Sequence, residues 1–149
     1  MPFLFSLQAV LRWRESFERR ERQRLEIVTR ELVKAQQQKQ QAKMERANAL
    51  IQAQKKLHRG MTAAELQFEL ACDRARARRI AVCNEHVARV EDLRRLQVEV
   101  FRKAQQQRKI LENLRGRQLA AYQLIQVRRT QQQMDDRFLV TRVRRLPDS

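Results

Sequence analysis

Turn-forming residues are almost missing from this chain. Its 149 residues include two glycines, at positions 60 and 116, and two prolines, at positions 2 and 147. Hairpin turns draw on Gly, Asn-Gly and Pro at defined offsets, so a sheet protein with many reversals is excluded. Aromatic residues make up 5% of the chain, too few to fill the core of a compact globule. No stretch approaches the roughly 20 apolar residues that a membrane-spanning helix needs. The two cysteines, Cys72 and Cys83, stand eleven positions apart. On one helix that is roughly 16 Å, whereas bridged Cα atoms lie within about 7 Å. An intrachain disulfide is therefore incompatible with a helix here, and a reducing compartment is the simpler expectation. Neither cysteine has a CxxC partner, and His58 and His86 are far apart in sequence, so no metal-ligand set is spaced. Each glycine stands alone, which leaves no phosphate loop, and no Ser-His-Asp or Cys-His set is suggested by spacing. Neither catalysis nor a cofactor nor a small-molecule substrate is expected.

What fills the chain instead is Arg, Gln, Glu, Leu and Ala, all good helix formers. Charged residues make up 34%, with a formal net charge of +16. Disorder-promoting Pro, Ser and Gly are scarce, so the composition fits a long helix or coiled coil rather than a disordered tail. The most apolar stretch is 3-FLFSLQAVLRWRE-15. A secretory signal has its positive charge before the apolar run and a small-residue cleavage site after it. Here Arg12 and Arg14 follow the run, Ser6 and Gln8 break it, and no such site comes next. The stretch reads as a helix start, with Ser6 as N-cap and Phe5 and Val10 as a hydrophobic staple.

Apolar residues then recur at coiled-coil spacing. Phe3, Phe5, Leu7, Val10 and Leu11 open a packing stripe that continues with Leu25, Val28, Leu32 and Ala35. The run 36-QQQKQQ-41 reads as a solvated helical face. At 57-LHRGMTAAELQF-68 one helix stops and another begins. Gly60 suits the left-handed position beyond a helix end, Thr62 and Glu65 form a capping box, and Met61 and Leu66 are spaced for a staple. The second arm carries a stripe of Val87, Val90, Leu93, Leu96, Val100, Ala104, Leu111, Leu114, Ala121 and Ile125. Gly116 could mark a bend, and Pro147 ends the last helix. The predicted fold is all-α: a long antiparallel two-helix coiled-coil hairpin forming one domain, with arm one at 6–59, a turn at 60–62 and arm two at 62–146. Arm two is longer by roughly 30 residues. It either overhangs by about 45 Å or breaks within 60–85, and the thin apolar stripe at 71–83 favours a short extra helix near the turn.

The acidic residues are interleaved with basic ones as surface pairs: Glu15–Arg19, Glu18–Arg22 and Glu21–Arg24. The basic excess calls for an anionic partner. Nucleic acid is disfavoured, because the charge is spread along both arms and stacking aromatics are nearly absent from the basic stretches. Acidic protein surfaces and anionic membrane headgroups fit the charge equally well.

The two ends carry a family resemblance. The opening 3-FLFSLQAVLRWRE-15 resembles the F-x-F-x-L-x-x-V-L-x-x-R start of the flagellar FliJ family, with Phe3, Phe5, Leu7, Val10, Leu11 and Arg14 in the corresponding places and Trp13 beside them. The ending 128-RRTQQQMDDRFLVTRVRR-145 is similar to that family's close, a basic Gln-rich helix running into an acidic pair, Asp135 and Asp136, and a basic tail. The resemblance implies a component of the flagellar type III protein export apparatus, serving flagellum biogenesis and with it motility and chemotaxis. It implies an antiparallel coiled coil similar to the central stalk subunit of rotary ATP synthases. It also implies three partners: a hexameric export ATPase, a membrane-embedded export-gate protein and export chaperones that the stalk escorts. The implied location is the cytoplasm, peripheral to the inner face of the cell membrane. In a hairpin the termini lie together, so Arg12, Arg14, Arg142, Arg144 and Arg145 are expected to form one basic end entering the ATPase pore. Phe68, near the start of the second arm, corresponds to the family's gate contact, with Cys72 one helical turn on. Alternative readings are the stalk of a virulence-type secretion system, a basic coiled coil binding nucleic acid, and a bare structural coiled coil.

Overall fold

Helix α1 spans Gln8–Arg59 and helix α2 spans Ala63–Arg144 in the computed structural model, which describes residues 2–145. No strand is present among the described residues. The fold is thus the predicted all-α hairpin, and local chemistry explains its turn. Gly60 adopts φ 102°, a backbone region that a side chain disfavours and glycine does not. Its N–H donates to the carbonyl of Leu57 at 3.2 Å. The capping box forms reciprocally: Glu65 N donates to Thr62 Oγ at 3.2 Å, and Thr62 N donates to a Glu65 carboxylate oxygen at 3.4 Å. The start of α1 is built differently from the expectation. Gln8 N donates to Phe5 O at 3.1 Å and Leu11 N to Leu7 O at 2.9 Å, so a backbone turn leads into the helix where a Ser6 side-chain cap was expected. The expected end at Pro147 lies outside the described residues; α2 ends at Arg144.

No short extra helix forms near the turn. The segment 71–83 is an uninterrupted part of α2, and its thin apolar stripe, with Ala77 and Ile80 half-buried, is supplemented by Cys72, Asp73, Arg76 and Cys83, which are half-buried as well. The helix also runs straight through Gly116 in sequence without a break. The difference in arm length is therefore retained in full, 82 residues in α2 against 52 in α1.

The packing falls into two units. The first comprises Glu18–Lys103, and the second comprises Met1–Phe17 with Ala104–Ser149. In the first unit the core is a narrow seam. Leu32, Ala35, Val87 and Val90 form a buried cluster with Val28 against it, and Ala42 is buried nearby. The Gln run between Ala35 and Ala42 is almost wholly solvent-facing, as expected. In the second unit Phe5, Leu11 and Ala104 are buried, and the Phe3 ring meets that of Tyr122 at 5.6 Å.

Of the predicted packing residues, Leu25, Val28, Leu111 and Leu114 are half-buried and Leu32 is buried. Leu7, Val10, Val100 and Ile125 are instead exposed, as are Leu93 and Leu96. The reason is phase. Leu11 takes the seam position beside Val10, and Gln97 and Phe101 turn inward where Leu96 and Val100 were expected. Apolar residues of α2 lie on more than one face, so spacings of three and four did not identify the packed one. Ile125 is likewise out of phase, exposed between half-buried Tyr122 and Gln126, which share a face.

Candidate partner-binding surfaces

The free arm of α2 is the first surface. Phe3 stands against Tyr122, and from residue 127 to residue 145 every side chain is exposed. This segment carries Arg128, Arg129, Arg137, Arg142, Arg144 and Arg145 against Asp135 and Asp136, a net +4. It also exposes Val127, Met134, Phe138, Leu139, Val140 and Val143. A hollow lined by Arg137, Phe138, Thr141, Arg142 and Arg145 combines a ring with guanidinium groups. Helical geometry brings these together, because residues three and four apart share a face. The thread of apolar and basic side chains is suited to an acidic protein groove and makes no core of its own.

The five arginines expected at one end do not gather there. Arg14 donates to Gln107 Oε1 and its guanidinium lies 4.8 Å from the Trp13 ring centre. Arg142 is 35 positions beyond Gln107 on the same helix, about 50 Å at 1.5 Å per residue. Arg142, Arg144 and Arg145 therefore form one cluster and Arg12 and Arg14 another. The expectation assumed arms ending level, and the overhang of α2 separates them.

The second surface is at the hairpin turn, within the Glu18–Lys103 unit. Phe68 is 69% exposed. It borders a hollow with Lys56, Met61, Ala64, Glu65 and Glu69, and Lys56 Nζ pairs with Glu69 at 3.3 Å. Beside it Leu50, Leu57, Met61, Leu66 and Leu70 line a groove of about 240 Å³ between the helices. Apolar seam residues remain partly open there, so this end of the hairpin offers unfilled apolar surface.

Two polar features bind the helices to one another, and both escaped sequence reasoning. Arg46 and Asp73 form a bidentate pair, Nε to Oδ1 at 2.9 Å and Nη2 to Oδ2 at 3.1 Å. The hydrogen bonds from Arg46 hold the Asp73 carboxyl below the ordinary carboxylate range; partial burial opposes this, and the charges of Arg46 and Arg76 assist it. Glu18 and Glu21, expected as surface residues, are 4% and 3% exposed. They do pair with Arg22 at 3.6 Å and Arg24 at 3.0 Å, but the carboxylates face inward. The Gln97 amide donates to the Glu21 carboxylate at 2.5 Å and to the Glu21 carbonyl at 3.1 Å. The signal was available in spacing: Leu11, Glu18, Leu25 and Leu32 fall on one seven-residue repeat. The charge of Glu18 and Glu21, and basic residues three and four positions on, made them read as surface pairs.

Among the described residues no cluster of His, Cys, Asp and Glu is placed to hold a metal ion. No described helix is long and apolar enough to cross a membrane. Comparison with protein families matches residues 3–145 to the model described as flagellar FliJ protein. Comparison with curated proteins and with solved structures gives no match.

Proposed function

Since the chain belongs to the flagellar FliJ family and is thereby a component of the flagellar export apparatus, we propose that it acts there as a non-catalytic, stalk-like partner of the hexameric export ATPase. The observation that carries this reading is the free arm of α2. A stalk that engages the inside of a ring needs helical surface not consumed by its own core, and residues 127–145 supply it with basic and apolar side chains together. Arg142, Arg144 and Arg145 are the ATPase contacts in this reading. Arg12 and Arg14 belong to a separate basic site, where Arg14 is already engaged by Gln107 and Trp13. In the same reading Phe68, with the open apolar groove near it, is the contact for the membrane-embedded export gate, and the protein acts at the inner face of the cell membrane as a peripheral component. Escort of export chaperones draws on the same exposed helical surface. The stalk of a virulence-type system differs in its partners, not in these features.

Reversing the three terminal charges (Arg142→Glu, Arg144→Glu, Arg145→Glu) tests the ATPase contact. The side chains are exposed, so folding should be unaffected. Capture of the purified export ATPase in physiological salt is expected to weaken at least about tenfold, because charge complementarity governs such contacts. Undiminished capture would remove the terminal arginines from the interface. Tight, salt-sensitive binding of DNA or RNA in a filter assay would favour the nucleic-acid reading instead.

A further inference from the structure

The seam of the Glu18–Lys103 unit alternates between apolar and polar blocks. Its apolar block is Leu32 and Ala35 against Val87 and Val90. Its polar block is Glu18 and Glu21, nearly fully buried, with Gln97 reaching across from α2. Two antiparallel helices with a seven-residue apolar repeat can meet in more than one register, because a shift of seven preserves which side chains face the partner. Small seam residues such as Ala35 and Ala42 do little to resist such a shift, since they present no large knob to a specific hole. A slip in either direction is accommodated at the connection between Arg59 and Ala63, by unwinding the end of α1 or the start of α2. The slip that carries Ala35 from Val87 to Arg94 lengthens the connection by unwinding about seven residues at the start of α2. Side chains 54–60 and 62–68 are exposed, so that unwinding gives up little buried surface.

We propose that the polar layer of Glu18, Glu21 and Gln97 selects the hairpin register, closing a seven-residue slip that the apolar seam alone would admit. In the slipped register Ala35 faces Arg94 and Leu32 faces Gln97, so a guanidinium and an amide enter the apolar cluster. The Glu21 carboxylate at the same time keeps Arg24 on Oε1 but loses the cross-helix donor to Oε2. A buried acceptor stripped of its donor is more costly than the donor bond itself was stabilising. Gln97 is well suited to this task because it reads two atoms of one residue, the Glu21 carboxylate and the Glu21 carbonyl. The half-buried ion pair Arg46–Asp73 and the exposed pair Arg79–Glu45 agree with the same register, but pairs open to solvent discriminate weakly. A single polar residue in a seam fixing register at a cost in stability has precedent in coiled coils generally.

Cysteine cross-linking reads the register directly. In a Cys72→Ser/Cys83→Ser background, Ala35→Cys with Val87→Cys reports the observed register, and Ala35→Cys with Arg94→Cys reports the slipped one. Each is equilibrated in a glutathione buffer, and the intramolecular disulfide is quantified. With the polar layer intact, the first pair closes and the second does not. With Glu18→Leu, Glu21→Leu and Gln97→Leu, closure of the 35–94 pair is expected to rise at least about tenfold, while Tm rises by roughly 3 °C or more as buried polar groups are replaced by apolar ones. Gln97→Leu alone gives a smaller rise in 35–94 closure and carries the same reading should the triple variant not fold. Exchanging the partners (Glu21→Gln with Gln97→Glu) keeps the slipped pair open. Closure confined to 35–87 in the Leu variants, at unchanged helix content, would overturn the proposal.

Discussion

Asp73 joins the two helices of its unit through charge where apolar side chains are thin, and this makes it a sensor of acid. Its carboxyl is held below the ordinary range, first by the hydrogen bonds from Arg46. A carboxyl whose pKa is lower in the folded than in the unfolded state contributes stability above its unfolded pKa. That contribution is lost as pH falls through the unfolded and then the folded value. Thermal stability should accordingly drop below about pH 4, the ordinary carboxylate range, and Asp73→Asn should flatten that part of the profile while lowering Tm at neutral pH. A parallel pH profile for the variant, merely displaced, would contradict the assignment. Gly116 is the converse case. It lies inside α2, and a Cβ built there meets nothing within 4 Å. Gly116→Ala should stabilise by about 0.5–1 kcal/mol, the helix-propensity difference, read from urea denaturation with the m-value unchanged. A loss of stability would mean that the glycine serves a bend or a contact.

The two helices and their connection were legible because local chemistry decides them. Gly60, Thr62 and Glu65 announce the turn, and all three hydrogen-bond or adopt the backbone geometry that their types suit. The phase of α2 was not legible. Val100 and Leu96 look like seam residues by spacing, yet Gln97 and Phe101 are the ones turned inward. Only the neighbouring helix selects among faces that each carry some apolar side chains. The buried Glu18 and Glu21 were hidden for a related reason: composition places a charged residue at the surface, while heptad position and a cross-helix donor place it inside. The fate of the extra length in α2 also needed three dimensions, since overhang and fold-back share one sequence. As an element, that overhang should be dispensable for folding. A chain ending at Gln126 removes only exposed side chains from the described part of the arm. Its Tm should lie within about 2 °C of the full chain, because surface changes are worth little. A large drop would show that the arm packs.

At the scale of the whole molecule, the core consumes little of the helical surface. Among the described residues buried side chains are few: eight apolar residues and two glutamates. Many apolar side chains of α2 are exposed, and in the proposed function the excess of positive charge adds an electrostatic component to partner binding that salt should weaken. The central claim is that the arm beyond Tyr122 couples this export component to its ATPase. The most direct test is the ATP hydrolysis rate of the purified export ATPase from the same organism, measured with the full chain and with the chain ending at Gln126. The full chain should raise the rate, and the shortened chain, equally helical and equally stable, should not. Equal stimulation by both chains would contradict the claim and move the ATPase contact elsewhere on the hairpin.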